Sequence, residues 1–411
     1  MLENKNYNIL FISLVIIKNL EKRGIYPDLI KYFISQGHHV TILSPVERRE
    51  KNSSEIIEGE GYTNIRYKTL NNTKTNYVEK LVSTFVIDFL LKRAIKNHVR
   101  GPIDIAVYAT PPITMTRTIE FIKRKFKVPC YLLLKDIFPD NIADLGLLSK
   151  NSFLYAYFRK KEKYLYTLSD YIGCMSPANV RYLLENNPEL ISEKVEVNPN
   201  TIDPIKPVKD IELIQNLKNK YKINSNAKVF FYGGNLGKPQ MIGFLIEVLQ
   251  SNLENDKVHF LIVGTGTEYG KIEKWLTKNQ PQNVTLLSFV PKSEYDILIN
   301  VGDVGLLLLD NRFKIPNFPN RILSYMENYM PVLSATDVHT DIGKIAQENG
   351  FGYWCHSGDV EAMNTLIQKF VQMDTKDFIQ IGKTGNQFLK ENYLIEKTYR
   401  LIVDKVDHFD K

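Results

Sequence analysis

Residues 228–251 read KVFFYGGNLGKPQMIGFLIEVLQS. The apolar run through Tyr232 is strand-like and stops at a pair of glycines, and a helical pattern follows near 240–251. Gly233, Gly234 and Gly237 remove side chains where a strand turns into a helix. Backbone can then approach a ligand closely, and the helix amino end offers N–H donors and partial positive charge. Lys238 adds a formal cation, so a diphosphate fits this loop. The spacing is neither GxxxxGK[ST] nor GxGxxG, which argues against a P-loop or a dinucleotide fingerprint. A tight turn with a purely structural task is the plain alternative.

The same alternation extends in both directions. Strands are expected at 8–14, 39–43, 104–109, 130–134, 171–175 and 194–198, then at 228–234, 258–264, 283–287, 303–309 and 331–335, with helical runs between them. Nearly continuous apolar strands are buried on both faces, as in parallel sheets covered by helices. The pattern is doubly wound α/β and occurs twice. The proline-rich stretch 199–213 separates the two halves and reads as a linker. The expected domains are 1–205 and 206–391, with a last helix, about 392–411, packing back on the first. In such sheets ligands sit outside the carboxyl ends of the strands, so the site should be built from loops drawn from both halves.

Composition narrows the class. The 411 residues exceed one ordinary core. Apolar residues at 44% and charged residues at 24% fit a soluble globular chain. No apolar run approaches the roughly 20 residues of a spanning helix. The polar start, MLENKNYN, predicts no signal peptide. Cys130, Cys174 and Cys355 lack paired spacing and read as reduced core thiols of a cytosolic protein. Up to Ile202 there are 29 Lys and Arg against 21 Asp and Glu; beyond it the counts are 24 and 25. The net charge of +7 therefore originates in the first half, which suggests that this half meets something anionic.

Further loops carry candidate chemistry. Gly264 and Gly266 open the next strand-to-helix turn, and Val290, beside Phe289 and Pro291, could edge a pocket for a base. In 306–337, Pro316 and Pro319 precede a helix; Asn320 is a capping candidate and Arg321 lies in the first turn. A cation there opposes the helix dipole, which an anion at the same end would explain. Ser324 and Glu327 follow at three-residue steps, and Ser324, Tyr325 and Glu327 suit the hydroxyls of a ribose or a sugar. In the first half Gly24 and Ile25 open a helix, and Lys135 and Asp136 emerge from a buried strand. No HExxH, GxSxG, zinc-finger or RNP spacing occurs, so metal and nucleic acid are disfavoured. Residues 152–168 place Phe153, Tyr157 and Phe158 among Arg159, Lys160, Lys161 and Lys163, and 77–98 place Phe85 and Phe89 beside Lys92, Arg93 and Lys96. Aromatic residues with cations suit an anionic membrane surface; core-facing helices with solvated charges are the alternative.

Together, GGNLGKPQ, FLIVGTGTE, VTLLSFVPKSE, DVGLLLL, PNRILSYMENYMPVLSATD, RGIYPDLIKYFISQGHHVTIL and EVNPNTID resemble the retaining glycosyltransferases of family 4. The likeness is strongest to the branch that builds bacterial capsule, exopolysaccharide and O-antigen. The resemblance implies the GT-B fold of two Rossmann-like domains around a cleft. It implies a metal-independent hexosyl or N-acetylhexosaminyl transfer from a nucleotide diphosphate sugar, UDP by family habit, with no cofactor. The acceptor would be a lipid-linked saccharide or an oligosaccharide at the inner face of the cell membrane. Lys238, Arg321 and Asp136 fall at catalytic positions; Gly233, Gly234, Asn235, Gly264, Gly266, Val290, Asn320, Ser324 and Glu327 fall on the donor side; Gly24, Ile25 and Lys135 fall on the acceptor side. The family's loop cations are replaced by Asn235 and Gln240, and its Glu-x7-Glu pair by Pro316 and Ser324. A nucleotide-sugar epimerase of the same fold, or a non-catalytic partner of an active transferase, are the rival readings.

Overall fold

The computed structural model describes residues 5–50, 54–71, 77–207 and 210–409. They form two compact units, Met1–Asp203 with Ile395–Lys411, and Pro204–Leu394.

The first unit holds β1 (Asn8–Ile12), β2 (His39–Glu47), β3 (Glu55–Gly59), β4 (Tyr62–Thr69), β5 (Ile105–Ala109), β6 (Cys130–Leu134), β7 (Tyr171–Cys174) and β8 (Val195–Val197). Their order is β3-β4-β2-β1-β5-β6-β7-β8. Every pair is parallel except β3–β4, so the doubly wound sheet carries one antiparallel edge. β5 and β6, IAVYA and CYLLL, are buried along their whole length, as continuous apolar strands must be. The C-terminal helix Ile395–Asp407 contributes Ile395 and Ile402 to the cluster built by Ile9, Phe11 and Phe33. Polar ties fix it further. The Thr398 hydroxyl donates to Asn198 Oδ1 at 2.8 Å, and the His38 ring stacks on Tyr399.

The second unit holds β9 (Lys228–Gly233), β10 (Val258–Val263), β11 (Val284–Leu287), β12 (Val304–Leu308), β13 (Val332–Thr336) and β14 (Gly352–His356). Their order is β11-β10-β9-β12-β13-β14, all parallel. Strand order reverses between β9 and β12, which leaves a crevice beyond their carboxyl ends. Phe230, Phe244, Leu245, Phe260 and Ile262 form the core beneath it. Burying one such phenylalanine stabilises the fold by roughly 1.5–3 kcal/mol.

Four elements depart from the sequence expectation. β3 and β4 were not anticipated, because β4, YTNIRYKT, takes polar side chains inside. Asn64 Nδ2 donates to the Ile17 carbonyl at 2.8 Å, and buried Arg66 pairs with Glu55. β14, GYWCH, has too mixed a pattern to read as a core strand. The stretch expected to be linker gives way to a helix, Ile211–Lys220, capped by the Asp210 carboxylate; residues 208 and 209 lie outside those described.

Candidate functional site

The loops after β9, β10 and β12 are stacked on one another. A β-carbon on Gly264 would collide with the Gly234 carbonyl, and one on Gly266 with Leu236 backbone. These two glycines are therefore demanded by loop-on-loop packing. Gly234 itself has φ +136, a conformation that favours glycine. Asn235 Nδ2 donates to Gln240 Oε1 at 2.9 Å, which also accepts the Gly237 N–H at 3.2 Å. The Asn235–Gln240 pair is a brace for the loop. The Asp310 N–H donates to the Pro239 carbonyl at 2.9 Å and ties the loop to the end of β12.

Arg321 starts the helix Arg321–Glu327. Its guanidinium lies 4.4 Å over the Tyr232 ring and packs against Gly234. Nη1 is enclosed and, among the described residues, has no hydrogen-bond partner. An enclosed guanidinium donor without a partner is costly, and an anionic ligand would satisfy it. Tyr325 supports the same place: its hydroxyl donates to the Leu306 carbonyl at 2.9 Å. Lys238 is exposed in the short turn Lys238–Gln240.

Several expected donor-side residues sit differently. Asn320 makes no side-chain cap, and the helix it precedes has only seven residues, so the dipole adds little beside Arg321. Ser324, one turn after Arg321, is half-buried on the same helix face. Glu327, six residues on, falls on another face; its buried carboxylate accepts the Ile205 N–H at 2.8 Å. Its placement is that of an anchor for the start of the second unit. Val290 is half-buried beside Phe289, which is 80% exposed. Of the tyrosines around Arg321, Tyr232 and Tyr295 were missed as site residues. Tyr232 looked like one more apolar residue of a buried strand.

In the first unit Gly24 precedes the helix Ile25–Ser35, and its N–H donates to Asp28 Oδ2 at 3.0 Å. Ile25, Lys135, Asn200 and Thr201 line one small cavity at the end of β6. Lys135 Nζ donates to the Asn198 carbonyl at 3.3 Å, and burial lowers its pKa to about 7. Asp136 reaches solvent, yet the protein around it pushes its pKa up to about 6.

The aromatic helix Phe153–Leu168 buries Phe158, Glu162, Leu165 and Tyr166, which corrects the surface expected at Phe158. Phe158 is buried against Phe138, Phe85 and Tyr157, so it is not a surface contact. Arg159 is committed to Glu162 and to Asn187 Oδ1, Lys161 donates to the Thr116 hydroxyl, and Lys163 pairs with Glu189 at 2.9 Å. Phe153 and Lys160 remain exposed, and Tyr157 is half-buried. The helix Tyr77–His98 instead exposes Val82, Phe85 and Phe89 at helical spacing, with Arg93 and Lys96 continuing the face. No described helix is long and apolar enough to cross a membrane.

Residues 214–387 match the family described as glycosyl transferases group 1. The chain is 23% identical over 293 residues to the probable glycosyltransferase WbjE of Pseudomonas aeruginosa, covering 71% of each. It is 22% identical over 182 residues to the putative colanic acid biosynthesis glycosyl transferase WcaI of Escherichia coli K12, covering 43% of this chain and 44% of that one. Among solved structures, Anabaena HepE in complex with UDP-glucose superposes with a TM-score of 0.69 at 13% identity, over 98% of this chain and all of HepE. The two parallel Rossmann-like sheets are those of the GT-B fold, and the chain is a GT-B relative of bacterial glycosyltransferases such as WbjE and WcaI.

Proposed function

We propose that the protein transfers a sugar from a nucleotide diphosphate sugar, a UDP-sugar in this reading, to a lipid-linked or oligosaccharide acceptor during bacterial surface polysaccharide synthesis. One observation carries the reading: Arg321 presents an enclosed, unsatisfied Nη1 beside Gly234, at the crevice where an α/β sheet takes its ligand. The second unit holds the nucleotide and the first unit the acceptor.

As the bond from the anomeric carbon to the diphosphate oxygen breaks, negative charge gathers on the leaving group. Arg321, Lys238 and the N–H groups of the glycine loop offset it, with no metal required. The acceptor hydroxyl attacks the same carbon with retention, and Asp136 takes its proton. A pKa near 6 leaves Asp136 ionised, and so able to accept, at neutral pH. The exposed apolar face of Tyr77–His98, with Phe153 and Lys160, rests on the anionic inner leaflet, where a lipid-linked acceptor is presented. The protein is then cytoplasmic and peripherally bound. WcaI's colanic acid assignment and the UDP-glucose complex of HepE support the polysaccharide and uridine parts.

The test is turnover with a panel of nucleotide sugars and isolated lipid-linked saccharides. The reading expects release of UDP that depends on added acceptor. Interconversion of the donor sugar with no acceptor present would identify an epimerase instead.

A further inference from the structure

Arg321 is surrounded by three tyrosines from three different elements. Tyr232 is the next-to-last residue of β9, Tyr295 lies on the helix Lys292–Leu298, and Tyr325 lies one turn beyond Arg321. The three do different work. Tyr325 is spent on the sheet, with its hydroxyl on the Leu306 carbonyl. Tyr295 lies over Gly233, where a β-carbon would meet its hydroxyl. Tyr232 acts at both ends. Its ring lies under the Arg321 guanidinium at 4.4 Å, and its hydroxyl donates to the Asn235 carbonyl at 2.6 Å. The side chain is wholly buried, so neither contact is diluted by water.

The second contact matters because of what the loop lacks. Between Gly233 and Gln240 Lys238 is the single formal cation, and it is exposed. The rest of the loop can meet an anion only through backbone, whose aim depends on how the loop is held. Asn235–Gln240 braces it from one side. Tyr232 ties it from beneath, and to the same ring that carries the guanidinium.

We propose that Tyr232 is the positioning residue of the donor site, coupling the glycine loop to Arg321 so that backbone N–H groups and guanidinium converge on one diphosphate. The inference rests on the donor reading above and adds a division of labour to it. The ring sets the direction of Arg321, and the hydroxyl sets the height of the loop. Removing the hydroxyl loosens the loop alone. Removing the ring releases both.

The experiment uses the full chain with labelled arginine, the variants Tyr232→Phe, Tyr232→Leu and Arg321→Ala, and two ligands, UDP and UMP. The ratio of UDP to UMP affinity reads the grip on the second phosphate. The Arg321 Nε–H resonance, assigned by its loss in Arg321→Ala, reads the ring current of Tyr232. Arg321→Ala should lower the ratio roughly tenfold to hundredfold. Tyr232→Leu should abolish the ring-current shift and bring the ratio to the Arg321→Ala value. Adding Arg321→Ala to it should then cost little more, since the two residues act as a unit. Tyr232→Phe should keep the shift and lower the ratio by about threefold, the worth of one buried hydrogen bond. A parental ratio in Tyr232→Leu, or losses that simply add, would overturn the coupling. Should Tyr232→Leu not fold, Tyr232→Phe decides, because a parental ratio there contradicts the tie to the loop. A parental ratio in Arg321→Ala overturns the donor reading itself. The resonance shift then still decides whether Tyr232 orients the guanidinium.

Discussion

Beyond β12 in the second unit, Arg321 keeps its charge and leaves one nitrogen that no described protein group answers. Beyond β6 in the first unit, Lys135 is enclosed, and burial brings its pKa to about 7. Both residues follow a buried parallel strand, which is where α/β sheets hold polar groups. A guanidinium stays ionised and can be stacked on an aromatic face, whereas a buried ammonium sheds its proton. In the proposed reading one sheet end is prepared for a permanently anionic ligand. The other carries a cation that fades within the neutral range, beside a carboxylate that gains its charge near pH 6. That contrast suits a diphosphate on one unit and a neutral sugar hydroxyl on the other.

The contrast can be broken at its frame first. Gly264→Val drives a side chain into the Gly234 carbonyl, where backbone cannot yield cheaply. The expected cost is about 3 kcal/mol or more, seen as a large fall in the denaturation midpoint. Gly270→Ala is the control, since nothing lies near its added β-carbon.

Lys135→Met comes next and should stabilise. The folded pKa of about 7 lies below the ordinary value near 10.5. Between those values the unfolded chain holds a proton that the folded chain gives up, so stability rises with pH across this window. Below the folded pKa the full penalty applies. Methionine removes it, worth on the order of 2 kcal/mol after allowance for solvent relaxation. Thermal melts of both proteins from pH 6 to 9 should differ most at the acid end and converge as pH rises. A constant gap would mean that the lysine charge is not involved.

The smaller effects sharpen the functional side. The double variant Phe85→Glu, Phe89→Glu should lose affinity for vesicles containing anionic lipid, with nucleotide affinity unchanged. Each apolar side chain withdrawn from the interface forfeits roughly 1–2 kcal/mol at most. Co-sedimentation that is the same for variant and parent would leave the exposed face without a membrane role. Lys238→Ala, at an exposed position, should weaken UDP by less than about tenfold.

The fold was legible where one pattern sufficed. Apolar strands such as IAVYA and VGLLL are buried along their length, and the register of alternating helices carried the two-sheet architecture. β4 escaped because Asn64 is bonded inside by Ile17 and Ser44 and Arg66 pairs with Glu55, contacts that the sequence pattern does not show. The candidate site was half legible. Gly234 and Arg321, picked out by chemistry and position, do lie against each other. Glu327 looked like a ligand because spacing in residues does not show helix phase; six residues turn the side chain well away from Arg321. Tyr232 stayed hidden because an aromatic residue in a core strand signals packing, and its tie to Asn235 appears only when the loop folds back. The aromatic helix Phe153–Leu168 misled for the same reason: its rings and cations are mostly answered by neighbours from other elements.

The central claim is that Arg321 holds a nucleoside diphosphate. It is tested most directly by calorimetric titration of the intact protein and of Arg321→Ala with UDP at fixed ionic strength. The account predicts saturable one-to-one binding by the parent and a loss of about 1.5–3 kcal/mol, roughly tenfold to hundredfold, in a variant that still folds. Equal affinity in the two proteins, or a parent that binds neither UDP nor any other nucleoside diphosphate, would contradict it.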